Sequence, residues 1–146
     1  MTTATYRNVI NHRGVVITEA DYDRLRHLVE SPKYRVTHAV LVAGLKGELE
    51  RGNVVAPGSV PKGVVTMRSR VRVRDLKADE TETYTLVYPE EADIELGKLS
   101  VLAPLGTALL GTRVRDVIAF DAPAGTRRLK VEKVLYQPEA AGHFHL

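Results

Sequence analysis

The chain has no cysteine, no tryptophan, two phenylalanines and two methionines among its 146 residues, and aromatic side chains amount to 5%. The lack of cysteine excludes disulfide scaffolds, thiolate nucleophiles and all-cysteine zinc sites. It fits a reducing compartment, so the cytoplasm is the expected location. No apolar run reaches the roughly 20 residues that a membrane span needs, and Met1 to Gly14 has no apolar stretch of signal-peptide length, so no membrane partner is expected. A Ser-His-Asp order, a P-loop and a dinucleotide fingerprint are absent, and no nucleophile stands beside a base. No catalytic residue, metal or cofactor is assigned on these grounds, and an enzyme is not expected.

What is present is a core-forming composition, 44% hydrophobic and 27% charged, in a length typical of one domain with a small appendage. Lys and Arg number 21 against 18 Asp and Glu, a formal net charge of +3 that conceals segregation. Residues 54–77 hold 6 basic and 1 acidic side chains (+5), whereas residues 78–98 hold 1 and 7 (−6).

Residues 1–14 are polar and aperiodic and read as a loose tail. Thr18 is placed to cap a helix whose first turns carry Glu19, Asp21 and Asp23. Tyr22, Leu25, Leu28 and Val29 then recur at three- and four-residue spacing until Ser31-Pro32 stops it. Leu41, Leu45 and Leu49, flanked by His38 and Val42, make the row of a second helix, with Gly52-Asn53 as its stop. Residues 15–53 therefore read as an antiparallel hairpin turning at Pro32-Lys33-Tyr34-Arg35, with arms of about 12–16 residues and a reach of only about 18–24 Å. Gly44 and Gly47 each weaken the second helix by about 1 kcal/mol relative to alanine.

Residues 54–63, with Pro57-Gly58 and Pro61-Lys62-Gly63, read as a rigid connector. From 64 to 146 the period becomes two. Val64–Met67, Val71–Arg74, Tyr84–Val87, Val117–Phe120 and Leu129–Tyr136 read as strands, interrupted by one short helix that begins at Pro104 and ends before Gly111. The expected fold class is α+β, a short helical hairpin followed by an antiparallel β domain with one short helix.

Arg68, Arg70, Arg72 and Arg74 alternate with Ser69, Val71 and Val73, so a strand here carries four guanidiniums on one face. One reading is an anion-facing strand for phosphate or an acidic protein surface. The other is the solvated face of a half-buried sheet, balanced by Asp79, Glu80 and Glu82 on a neighbouring strand. The acidic run Glu90-Glu91-Ala92-Asp93-Ile94-Glu95 lacks the spacing of a calcium loop and reads as solvated. His27 and His38 flank the hairpin turn without a third metal ligand, and His143-Phe144-His145 reads as a frayed or docked tail.

The segments Val64-Val65-Thr66-Met67-Arg68-Ser69-Arg70-Val71, Tyr84-Thr85-Leu86-Val87-Tyr88-Pro89 and Leu99-Ser100-Val101-Leu102-Ala103-Pro104-Leu105-Gly106-Thr107-Ala108-Leu109-Leu110-Gly111 resemble the C-terminal domain of the GreA/GreB transcript-cleavage factors. Tyr136-Gln137-Pro138-Glu139-Ala140-Ala141-Gly142 narrows the resemblance to the regulator of nucleoside diphosphate kinase (Rnk) branch, and the likeness covers roughly residues 15–146. It implies an N-terminal antiparallel coiled coil on an FKBP-like β domain, RNA polymerase as partner, and docking beside the secondary channel through the segment that here reads Leu102, Ala103, Pro104 and Leu105. Gre factors carry polar residues just before that proline, whereas this chain has Leu102 and Ala103. In the Gre factors acidic residues at the hairpin tip help hold a catalytic magnesium ion. Here the tip is Pro32, Lys33, Tyr34 and Arg35, with two cations and no carboxylate. The expectation is a monomeric, non-catalytic regulator that binds polymerase, touches nucleic acid only indirectly or weakly, and competes with cleavage factors. Two alternatives remain: an FKBP-like prolyl isomerase, disfavoured because the β domain offers only Tyr84, Tyr88, Tyr136, Phe120 and Phe144 to line a pocket, and a basic nucleic-acid-binding module working through Arg68 to Arg74.

Overall fold

The structure, a computed structural model, describes residues 15–144 and 146, so the tail 1–14, with His12, and His145 lie outside the described residues. Thr18 closes a three-residue strand, β1 (Val16–Thr18), and its Oγ1 accepts the Asp21 N–H at 3.1 Å, which caps helix α1 (Glu19–Glu30). Ser31 adopts extended backbone ahead of Pro32, and α1 ends there. The expected turn Pro32–Arg35 is itself helical. Pro32–Thr37 forms the short helix α2, with the Arg35 N–H donating to Ser31 O (3.1 Å) and the His38 N–H to Tyr34 O (2.7 Å). Proline suits the first helical position because its φ is preset and its missing N–H has no intrahelical partner there.

Helix α3 (Ala39–Glu50) runs through Gly44 and Gly47 without a break, held by the burial of Val42, Leu45 and Leu49. α1 and α3 pack against each other and line one groove, with Tyr22, Arg26 and Val29 on α1 and Val42, Lys46 and Leu49 on α3. β2 (Asn53–Val55) then returns to pair in parallel with β1, from Val16↔Asn53 to Thr18↔Val55.

The remaining strands form one five-stranded sheet in the order β5-β4-β3-β7-β6: β3 (Arg70–Asp75), β4 (Thr81–Val87), β5 (Lys98–Ser100), β6 (Val117–Ala122) and β7 (Gly125–Tyr136). Four strands are antiparallel as expected, but β5 lies parallel to β4, because a crossover through single 3-10 turns at Pro89–Glu91 and Ile94–Leu96 carries the chain back before it pairs. The expected strand Val64–Met67 is absent. All four residues are buried, yet they make one bridge, Val64↔Arg113, cross to Thr112 and Gly111, and turn tightly at Thr66–Ser69. A short run buried on every side does not reveal whether its backbone is a strand.

Helix α4 (Pro104–Leu109) packs on β6 and α3. Gly106 permits this because a Cβ there would collide with the Ser100 carbonyl oxygen. Gly111, at φ +76, closes the segment against Val15 and Val16, where a side chain has no room. Leu25, Leu45 and Leu49 of the hairpin share one apolar cluster with Met67, Leu102 and Leu105, so the hairpin lies along the sheet domain. No helix among the described residues is long and apolar enough to cross a membrane.

Candidate functional site: hairpin tip, docking segment and arginine face

At the tip, Tyr34 is buried and its hydroxyl donates to Glu90 Oε1 at 2.8 Å, which ties α2 to the sheet domain. The carboxylate that accepts this hydrogen bond holds the phenol pKa above its ordinary value. Lys33 and Arg35 are exposed, Lys33 lying 5.2 Å from the Tyr34 ring centroid. Beside them stand two apolar side chains that the sequence reading passed over, Val36 (82% exposed) and Val40 (65%). Their i, i+4 spacing was the available signal. His27 and His38 do not form a pair: His27 Nδ1 lies 2.8 Å from Asp23 O, and His38 Nδ1 lies 2.6 Å from Thr37 Oγ1.

The segment Leu102–Leu105 joins β5 to α4. Leu102 and Leu105 are buried in the core, and the half-buried Ala103 and Pro104 are what the segment presents at the surface. Thr107 Oγ1 donates to Val101 O (2.7 Å) and the Leu102 N–H to Ser100 Oγ (3.1 Å), which fixes this junction.

The four-arginine strand divides. Arg68 precedes β3 in left-handed backbone (φ 64), which takes it out of the strand alternation. Its guanidinium donates to Glu91 (2.9 Å), reaches Leu146 O (3.3 Å) and stacks over Tyr88 at 5.2 Å. Arg70, Arg72 and Arg74 share one face of β3. Arg72 and Arg74 both grip Glu132 (3.0 and 2.6 Å), and Arg74 also pairs with Asp79 at 3.1 Å. These guanidiniums, Arg74 first, hold the Glu132 carboxyl below its usual range. Glu132 was not legible as a partner, because a register shift between Arg72 and Val73 inserts it opposite both arginines. Of the expected acids, Asp79 takes part, whereas Glu82 binds Arg127 (2.7 Å) beside Asp75. The acidic run is used locally, through Glu90 and Glu91.

Comparison with known proteins accounts for both halves of this arrangement. The profile described as "Transcription elongation factor, GreA/GreB, C-term" matches residues 60–136, and that described as "Rnk N-terminus" matches residues 13–55. The chain belongs to the GreA/GreB family. It is 41% identical over 133 residues to the "Regulator of nucleoside diphosphate kinase" of Escherichia coli (strain K12), covering 90% of this chain and 96% of that protein. Over 93 residues it is 32% identical to the "Transcription elongation factor GreA" of Thermodesulfovibrio yellowstonii, covering 64% of this chain and 59% of that one. A solved structure titled "Prokaryotic transcription elongation factor GreA/GreB from Nitrosomonas europaea" superposes with a TM-score of 0.70 at 37% identity, over 85% of this chain and 99% of that one.

In this GreA/GreB-family chain a buried carboxylate fastens the hairpin, and a polar cluster holds the segment it meets. Asp21 Oδ2 accepts the Met67 N–H at 3.1 Å, and Thr66 Oγ1 bridges Ser69 Oγ (2.8 Å) and Glu139 Oε1 (2.7 Å). Burial, with Glu139 adding repulsion, pushes the Asp21 pKa to about 7. The string Tyr136–Gly142 has a structural task. Gln137 Nε2 donates to the carbonyls of Pro61 and Val64, both at 2.8 Å, and its Oε1 accepts the Ala140 N–H at 3.1 Å, which locks the connector onto the sheet.

Proposed function

We propose that this GreA/GreB-family chain is a transcription regulator that binds RNA polymerase near its secondary channel, does not stimulate transcript cleavage, and competes with Gre-type factors that do. The observation that carries this reading is the tip. Lys33, Arg35, Val36 and Val40 are among its exposed groups, α2 contains no carboxylate, and the acid that touches it, Glu90 of the sheet domain, is held by the Tyr34 hydroxyl. A magnesium ion demands carboxylate or phosphate oxygens, which ammonium, guanidinium and isopropyl groups do not supply. Relatives named as a regulator of nucleoside diphosphate kinase and as elongation factors support action through transcription. Ala103 and Pro104 are the surface assigned to the docking contact, with Leu102 and Leu105 holding it from beneath.

The test is displacement of a labelled Gre factor from purified bacterial RNA polymerase. Displacement that saturates at the affinity measured by direct binding is expected, and direct binding without displacement would refute competition. Lys33→Glu with Arg35→Glu should leave polymerase binding within about threefold while changing transcription output. Wild-type behaviour of that variant in every polymerase assay would reduce the tip to a connecting turn.

A further inference from the structure

The charged face of the sheet is wider than the arginine strand alone. Alternation along β3 and β7 buries Val71, Val73, Leu129 and Val131 on one face, and the register gathers cations on the other. Lys130 pairs with Arg74, Lys133 with Arg72, Arg128 with Ala119 of β6, and Lys98 of β5 with Thr85 beside Arg70. Glu132 and Asp79 neutralise Arg72 and Arg74, and Asp121 stands at the far end opposite Thr126. Arg70, Lys98, Arg128, Lys130 and Lys133 are exposed and have no carboxylate within 4.0 Å among the described residues.

We propose that this face docks the phosphate backbone of duplex nucleic acid, without reading sequence. Five unmatched cations on an open sheet make a field that favours a polyanion. The arginines of β3 span about 13 Å, a length over which a duplex carries about eight phosphates. Thr81, Thr83 and Thr85 lie on the same face, cross-strand from Arg74, Arg72 and Arg70, and threonine hydroxyls bond phosphate oxygens readily. Protein-binding surfaces centre on aromatic and apolar anchors, and single-strand platforms stack bases on aromatic rings. The aromatic side chain here is Tyr136, whose hydroxyl is engaged by His143 Nδ1 at 2.7 Å. A sheet of five strands is too broad to enter either groove, so the contact is to backbone.

The DNA titration needs no polymerase and is therefore independent of the reading above; polymerase binding by the double variant is measured separately. The full chain is titrated against a fluorescein-labelled 20-base-pair DNA duplex by anisotropy at 25–200 mM NaCl. Log affinity should fall linearly with log salt at a slope of about −3 to −4.5, the value for three to five phosphates. Arg128→Gln with Lys130→Gln should flatten the slope by about two and weaken low-salt binding at least about tenfold. Glu132→Gln, which frees Arg72 and leaves Arg74 only its Asp79 partner, should steepen the slope and guards against a folding defect in the double variant. No binding at 25 mM salt, or a slope that these substitutions do not move, overturns the proposal. So does a double variant that loses polymerase while keeping DNA, since the face would then meet an acidic protein surface.

Discussion

Replacing Asp21 with asparagine should raise stability at neutral pH and remove most of the pH dependence between pH 4 and 7. Asp21 is 2% exposed, and burial lifts its pKa from 3.8 to about 7 in the folded chain. Between those values the unfolded carboxyl has released its proton and the folded one retains it. The native state therefore binds more protons, and stability falls as pH rises from about 4 to about 7, then levels off. A shift of about three units at about 1.4 kcal/mol each corresponds to about 4 kcal/mol. Asparagine keeps an oxygen for the Met67 N–H, carries no charge and offers an amide donor towards Glu139. The variant should match wild type near pH 4 and exceed it by about 4 kcal/mol at pH 8, which is about 10 °C in Tm for a chain of this size. Urea unfolding of both proteins from pH 4 to 8 reads this directly. Subtracting the two curves cancels Asp75 and Glu132, whose lowered pKa values contribute stability that is lost on acidification. Parallel curves, or a variant less stable at pH 8, would refute the burial argument.

The glycines of the chain should respond in opposite directions. Gly106→Ala drives a Cβ into the Ser100 carbonyl and should lower Tm sharply, whereas Gly47→Ala meets only the Arg51 side chain, at 3.5 Å, and should gain about 0.5–1 kcal/mol from helix propensity. Leu45→Ala empties a fully buried position where α3 meets the sheet domain and should lose about 2–5 kcal/mol in chemical denaturation.

Elements with a clear period were legible. The apolar spacing of Tyr22 to Val29 and of Leu41 to Leu49 marked α1 and α3, and the alternation at Val71–Arg74 and Leu129–Tyr136 marked β3 and β7. Three-residue strands escaped because Val16–Thr18, Asn53–Val55 and Lys98–Ser100 are too short to show a period, and pairing alone defines them. Val64–Met67 was misread because its burial on all sides mimics a strand. In the candidate site, the cationic tip was readable residue by residue. The burial of Leu102 and Leu105 was not, since an apolar residue beside a proline reads alike as anchor or core. Cross-strand register is the information that a single sequence hides most completely. It sets Glu132 between two arginines and Lys130 beside Arg74, and so decides which cations are free.

The most direct test of the central claim is transcript cleavage in purified backtracked elongation complexes, with the protein alone and in the presence of a Gre factor. The cationic tip, whose helix α2 carries no carboxylate of its own, predicts cleavage at the intrinsic rate with the protein alone and progressive suppression of Gre-stimulated cleavage as it is added. Stimulation of cleavage by the pure protein, or Gre-stimulated cleavage that is unaffected at saturating protein, would contradict the account.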